Sequence, residues 1–168
     1  MPARAPAGGI CLSGAAGGRM RSWKGGAMPS DFSYRDDSDV YVTVYWGTVS
    51  IVDILETILE RAHDSDLKNA KAHLVDLSHA AWAETPPHQI HQELQRLRPA
   101  FAPPKLPTVF VTPGEFFYGF ARMYALMEVI YGAAKVDVFR TWGDASAALG
   151  IPLASAEAWA LDRSRGGS

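Results

Sequence analysis

Cys11 is the only cysteine in this 168-residue chain. No disulfide can close within it, and a multi-cysteine zinc site is excluded. No apolar run approaches the roughly 20 residues that a membrane-spanning helix needs. Neither sign of charge dominates, since 16 Lys and Arg stand against 18 Asp and Glu for a formal net charge of −2. Such a balance gives no general attraction to nucleic acid or to an anionic membrane. A glycine-rich phosphate loop is missing as well, because Thr112-Pro113-Gly114 lacks a following lysine and further glycines. What is present is a 48% hydrophobic composition, enough for one domain to bury a core. These features describe a soluble globular chain, expected in the cytoplasm, without a cofactor or a membrane span.

The first 30 residues differ in kind from the rest. They hold Arg4, Arg19, Arg21 and Lys24 with no acid, and seven of the 15 glycines. Residues 31–168 therefore carry a charge of −6. A Gly/Ala-rich basic segment with no sustained apolar period reads as a disordered tail. Ile10-Cys11-Leu12 is too short for a secretory signal, and Met20 and Met28 both precede the first patterned segment. The tail reads as an extension without function, with a basic tethering arm as the alternative.

Beyond it, short β-rich and longer helical segments alternate. Phe32 to Arg35 and Val40 to Trp46 flank the turn-forming Asp36-Asp37-Ser38-Asp39, which predicts a hairpin ended by Gly47. Ser50 and Asp53 form a capping-box-like start to a helix with Ile51, Ile54, Leu55, Ile58, Leu59 and Ala62 at helical spacing. Ala72 to Leu77 reads as a buried strand. Thr85-Pro86-Pro87 opens a helix with the stripe Ile90, Leu94, Leu97 and Phe101, and Thr108 to Val111 is the next strand.

Thr112, Pro113 and Glu115 predict an N-cap, first position and capping-box acid. The helix that follows carries Phe116, Phe120, Met123, Met127 and Ile130 on one stripe and Phe117, Tyr124 and Tyr131 on another, and Gly132 ends it. Lys135 to Phe139 is the last strand. Thr141 and Asp144 open a short helix to Gly150 and Pro152; residues 154–161 add further helix around Trp159, and the chain frays from Asp162. The order predicts an α/β fold: a hairpin, then alternating helices and strands in a mixed, mostly parallel sheet, with function at the C-terminal ends of the strands.

Chemistry is sparse. His63, His73, His79, His88 and His91 cluster in sequence. His88 and His91, with Glu84 or Glu93, have the spacing of a metal pair but read better as two surface histidines. Ser78 beside His79 lacks the Gly-x-Ser-x-Gly turn of a nucleophile and reads as a loop residue after the strand ending near Asp76. Arg122 interrupts an apolar helix and must reach solvent or find a carboxylate or ligand. Gly119 costs that helix about 1 kcal/mol relative to alanine and reads as a site of close packing against a neighbour or partner. Arg122, Tyr118 and Tyr124 would then border a pocket or a dimer surface.

Gly47 after its strand, His73-Leu74-Val75-Asp76-Leu77-Ser78, Tyr118-Gly119-Phe120-Ala121-Arg122-Met123, and Val138-Phe139-Arg140 leading to Ala145-Ser146-Ala147-Ala148-Leu149 resemble, in order and spacing, the SpoIIAA-like or STAS-like bacterial domains. The resemblance spans roughly residues 31–152, leaving 153–168 as a short C-terminal helix and tail. It implies the βα fold shared with the lipid-binding Sec14-like group, and no enzymatic activity. Antagonists of that family carry Asp-Ser-Ser-Gly at the helix after the Asp-Leu strand, with the second serine phosphorylated. Here the matching residues are Glu84-Thr85-Pro86-Pro87, so Pro86 replaces that serine and Thr85 is the neighbouring hydroxyl that could take a phosphate.

The reading that results is a non-enzymatic protein-interaction or regulatory module, with self-association as a homodimer or another protein as partner. Its contact surface would comprise Asp76, Ser78 and Thr85 with Phe116, Phe117, Tyr118, Phe120, Arg122 and Tyr124. The alternative is a carrier or sensor of a small apolar or amphipathic ligand, held between helix 115–131 and the sheet by Phe116, Phe117, Phe120, Arg122 and Tyr124.

Overall fold

The computed structural model describes residues 30–61, 64–84, 86, 88–89, 92, 106–131 and 135–166, with the backbone alone at 55, 58, 59, 123, 124 and 126–131. Strands β1 (Ser30–Arg35), β2 (Val40–Val49), β3 (Ala72–Trp82), β4 (Thr108–Val111) and β5 (Val136–Phe139) form one sheet in the order β1-β2-β3-β4-β5. Only the β1–β2 hairpin is antiparallel; the remaining pairs are parallel. The α/β architecture expected from the alternation is present. Asp39 turns the hairpin at φ 54, a conformation short polar side chains tolerate, and its carboxylate pairs with Lys71 at 2.6 Å.

The strict alternation of β2 sorts its side chains onto two covered faces. Tyr45 and Val49 join Val75, Leu77 and Phe110 on one face, under Ile51 and Ile54 of helix α1 (Ile51–Arg61) and Phe117, Phe120 and Ala121 of helix α3 (Glu115–Tyr131). Val40, Val42, Val44, Leu74, Val109 and Val111 line the other, under Trp142 and Ala145 of helix α4 (Trp142–Leu149) and Ala156 and Ala160 of helix α5 (Ala154–Gly166). A third cluster at the start of β2 holds Phe32, Tyr41, Leu106 and Leu67, the last from the short helix α2 (Ser65–Asn69).

Two caps form as the sequence predicts. Ser50 and Asp53 bond reciprocally, with the Asp53 N–H donating to Ser50 Oγ at 3.2 Å and the Ser50 N–H to Asp53 Oδ2 at 2.8 Å. Thr141 accepts from the Asp144 N–H at 3.1 Å, and Gly150 closes α4 in the left-handed conformation at φ 66.

Other expectations are corrected. Gly47 does not end β2: it sits at φ 64 beside a register shift between Val44 and Trp46, and the strand continues to Val49. β3 likewise runs to Trp82 rather than Leu77, because the lengthened β2 gives it a pairing edge. Helix α2 was not expected; Asp64 caps it, accepting from the Asp66 N–H at 2.9 Å. The last helix extends to Gly166 instead of fraying at Asp162, since Ala156, Ala160 and Ser164 are buried and Arg163 pairs with Asp31 at 3.4 Å. His88, Gln89 and Gln92 are helical. The rest of the helix expected after Thr85 lies outside the described residues, as do the basic tail through residue 29, His63, His91 and Gly132.

His73 is the buried polar group of β3 whose titration reports on the core. Its Nε2 lies 3.0 Å from Thr43 Oγ1 and its ring meets Tyr41 edge-on at 5.6 Å. Burial pushes its pKa down to about 4 from an ordinary 6.5. The unfolded chain therefore takes up a proton that the folded chain refuses, so stability is full above the unfolded value and is lost as pH falls toward about 4. Urea unfolding at about pH 7 and about pH 5 should show a loss on the order of 2 kcal/mol, and His73→Gln should flatten that slope. An equal slope in the variant would assign it to other groups.

Candidate functional site

Strands β4 and β5 stop at Val111 and Phe139, level with Asp76 of β3. Beyond that level β3 is paired, among the described residues, only with β2, through Trp46↔His79 to Val49↔Trp82. The two-stranded extension carries Trp82 to the first turn of α3. There its ring stacks on Phe116, with centroids 4.0 Å apart and planes at 28°, and meets Phe117 edge-on at 5.9 Å. Phe116 is 47% exposed and is the only exposed large hydrophobic side chain among the described residues.

Arg140, immediately after β5, fixes this turn of helix from the other side. Its Nη1 donates to the Pro113 carbonyl at 2.8 Å, its Nη2 pairs with Glu115 Oε1 at 2.9 Å, and its guanidinium lies 3.8 Å from the centre of the Tyr118 ring. Cation–π stacking of this kind holds an arginine without burying its charge. Glu115 is thus engaged with Arg140. The expected reciprocal cap with Thr112 does not form: α3 starts at Glu115, with the Tyr118 N–H donating to the Gly114 carbonyl at 3.0 Å. Thr112 instead continues the sheet, its N–H bonded to the Phe139 carbonyl at 3.0 Å, and its buried hydroxyl has no hydrogen-bond partner among the described residues.

The residues proposed from sequence separate into three groups. Phe117 and Phe120 are buried in the core between α3 and the sheet. Phe116, Tyr118 and Arg122 face outward to different degrees, Arg122 being exposed and Tyr118 half-buried. Phe116 therefore leaves the buried stripe assigned to it, because Trp82 covers one face of its ring and solvent the other. Gly119 is exposed, and a Cβ built there meets nothing within 4 Å, so no neighbour within the described chain requires the glycine. Thr85 and the Tyr124 side chain lie outside the described residues.

Asp76 and Ser78 form the third group. Asp76 is 1% exposed on the α4 side of the sheet, where its Oδ1 accepts the Ser78 N–H at 2.9 Å. Burial raises its carboxyl above the usual range, and hydrogen bonds from Ser78 and the Trp142 side chain oppose that rise. Ser78 is thus committed to Asp76, and the exposed His79 follows it on the strand. Among the described residues no group of three or more His, Cys, Asp or Glu side chains is placed to hold a metal ion. Sequence reasoning missed Trp82 and Arg140 as surface residues. A tryptophan after Ala80-Ala81 was the available signal for the first.

This geometry makes Asp76 a tie between β3 and α4, with a testable sign. Because burial raises its pKa, the ionised form costs stability at neutral pH. Asp76→Asn keeps an acceptor for the Ser78 N–H and sheds the charge, so denaturant unfolding at about pH 7 should find it no less stable than the parent. Asp76→Ala strands both donors and should cost about 1–3 kcal/mol. Equal losses in the two variants would contradict this role.

No protein-family profile matches the chain, and no curated protein does. Among solved structures it is similar to an uncharacterized protein of the DUF3478 family with a SpoIIAA-like fold from Shewanella loihica PV-4. Identity is 13%, the TM-score 0.48, and the match covers 76% of this chain and 99% of the other. The α/β fold assignment rests on the sheet order and register.

Proposed function

We propose that this chain is a non-enzymatic SpoIIAA-like module that works by binding another polypeptide through the surface formed by Trp82, Phe116 and Tyr118. The observation that carries this reading is the stacked Trp82–Phe116 pair, left half-open to solvent at the end of the β2–β3 extension. Aromatic anchors ringed by charge are the usual anatomy of a binding hot spot, and here Glu115, Arg122 and Arg140 supply the rim. The chemistry-bearing groups nearby are occupied structurally, Asp76 by Ser78 and Trp142, and Arg140 by Pro113, Glu115 and Tyr118. Phe117 and Phe120, which the carrier reading needs around a ligand, are used in the core. No described helix is long and apolar enough to cross a membrane.

Phe116→Ala tests the surface, because a residue this exposed can be truncated with little effect on folding. The wild-type chain recovered from its own host should carry a polypeptide partner at fixed stoichiometry. The variant should lose at least about tenfold of it while its thermal unfolding stays near that of the parent. Full retention of the partner by the variant would overturn the assignment of this surface.

A further inference from the structure

We infer that Asp31 and Ser33 close the free edge of the sheet against the addition of another strand, and that Arg163 of α5 holds Asp31 in the closing position. β1 shares no residue with the surface formed by Trp82, Phe116 and Tyr118, so the two stand or fall separately. β1 is the outermost strand, paired with β2 and, among the described residues, with no other strand. In an antiparallel edge strand, alternate residues turn both backbone groups toward the partner, and the residues between them turn both outward. Such an outward row is a template for any extended chain, including the same edge of a second copy. Phe32 and Tyr34 belong to the outward set. The Phe32 N–H donates to Asp31 Oδ1 at 2.8 Å, so it does not point at β2, and two residues on, the Tyr34 carbonyl accepts from Ser33 Oγ at 3.3 Å. One donor and one acceptor of the row are thus occupied by the side chain immediately before them.

Both closing side chains are held in place. Asp31 Oδ2 lies 3.4 Å from Arg163 Nε near the end of α5, with only 23% of the Asp31 side chain and 31% of the Arg163 side chain exposed. A pair this covered is screened less than an exposed one, and it leaves Oδ1 aimed at the Phe32 N–H. Ser33 lies on the same face of the strand, 2% exposed, with little room to turn away. The opposite edge needs less. β5 is four residues long against six in β1, and its Asp137 pairs with Lys135 at 2.8 Å; short length and charge each blunt an edge.

Sedimentation velocity over a concentration series tests this in the full chain carrying Phe116→Ala, which removes the aromatic surface from the comparison, with circular dichroism confirming each fold. Adding Asp31→Ala and Ser33→Ala frees a donor and an acceptor on every copy. Self-association should then appear at concentrations at least about tenfold below those of the Phe116→Ala parent. Asp31→Asn keeps an oxygen for the Phe32 N–H and should stay near the parent. Amide exchange followed by NMR, at a dilution where all chains are monomeric, gives a readout that needs no association. The Phe32 N–H should exchange at least about tenfold more slowly in the parent than in Asp31→Ala, and Arg163→Gln should speed it toward the Asp31→Ala value. A double variant that associates no more readily than the parent, an Asp31→Asn chain that associates as strongly as the double variant, or equal Phe32 exchange in parent and Asp31→Ala would overturn the inference. Unchanged Phe32 exchange in Arg163→Gln would overturn the part assigned to α5.

Discussion

The parallel pairing of β2 with β3 is the constraint on which the rest of the molecule depends. Val40, Val42 and Val44 point into one core and Tyr45 and Val49 into the other, and Leu74, Val75 and Leu77 do the same from β3. Strands covered on both faces must satisfy their backbone groups within the sheet and must hold register, because a one-residue slip would exchange the two cores. The helices are then assigned to their sides, α1 and α3 on one and α4 and α5 on the other. The buried polar groups of β3 follow from the same register. His73 meets Thr43 across the pair, and Asp76 meets Trp142 beneath it.

The unequal lengths of the strands create the surface. β2 and β3 continue past the point where β4 and β5 stop, and the glycine at φ 64 with the register shift between Val44 and Trp46 lets them do so. The extension holds Trp82 over the first turn of α3, while Arg140, at the end of the shorter β5, reaches the same turn from the opposite direction. Neither contact is made within one element. Both depend on where strands end.

That dependence explains how much was legible in the sequence. The apolar alternation of β2, the Ser50–Asp53 box and the Thr141–Asp144 cap are local signals, and each appears in the structure. Thr112-Pro113-Gly114-Glu115 carried an equally strong local signal and failed, because strand pairing claimed the Thr112 backbone and Arg140 claimed Glu115. Gly47 misled in the same way: a glycine that punctuates a strand and one that bends it look alike until the partner strand is known. At the site, the sequence marked Phe116, Tyr118 and Arg122 but did not divide them from the buried Phe117 and Phe120, since an aromatic helix reads as buried around much of its circumference. Trp82 escaped notice because its strand runs on past the buried segment Ala72 to Leu77 that announced it.

The aromatic residues of α3 divide in two: Phe117 and Phe120 fill the space above the sheet, and Phe116 is the one proposed to meet another polypeptide. A small-molecule carrier would need that inner space for its ligand. Native mass spectrometry of the full chain, isolated gently from its own host, separates the two most directly. The account predicts masses made up of polypeptide alone, this chain in complex with itself or with another protein; a stoichiometric small molecule travelling with the single chain would contradict it.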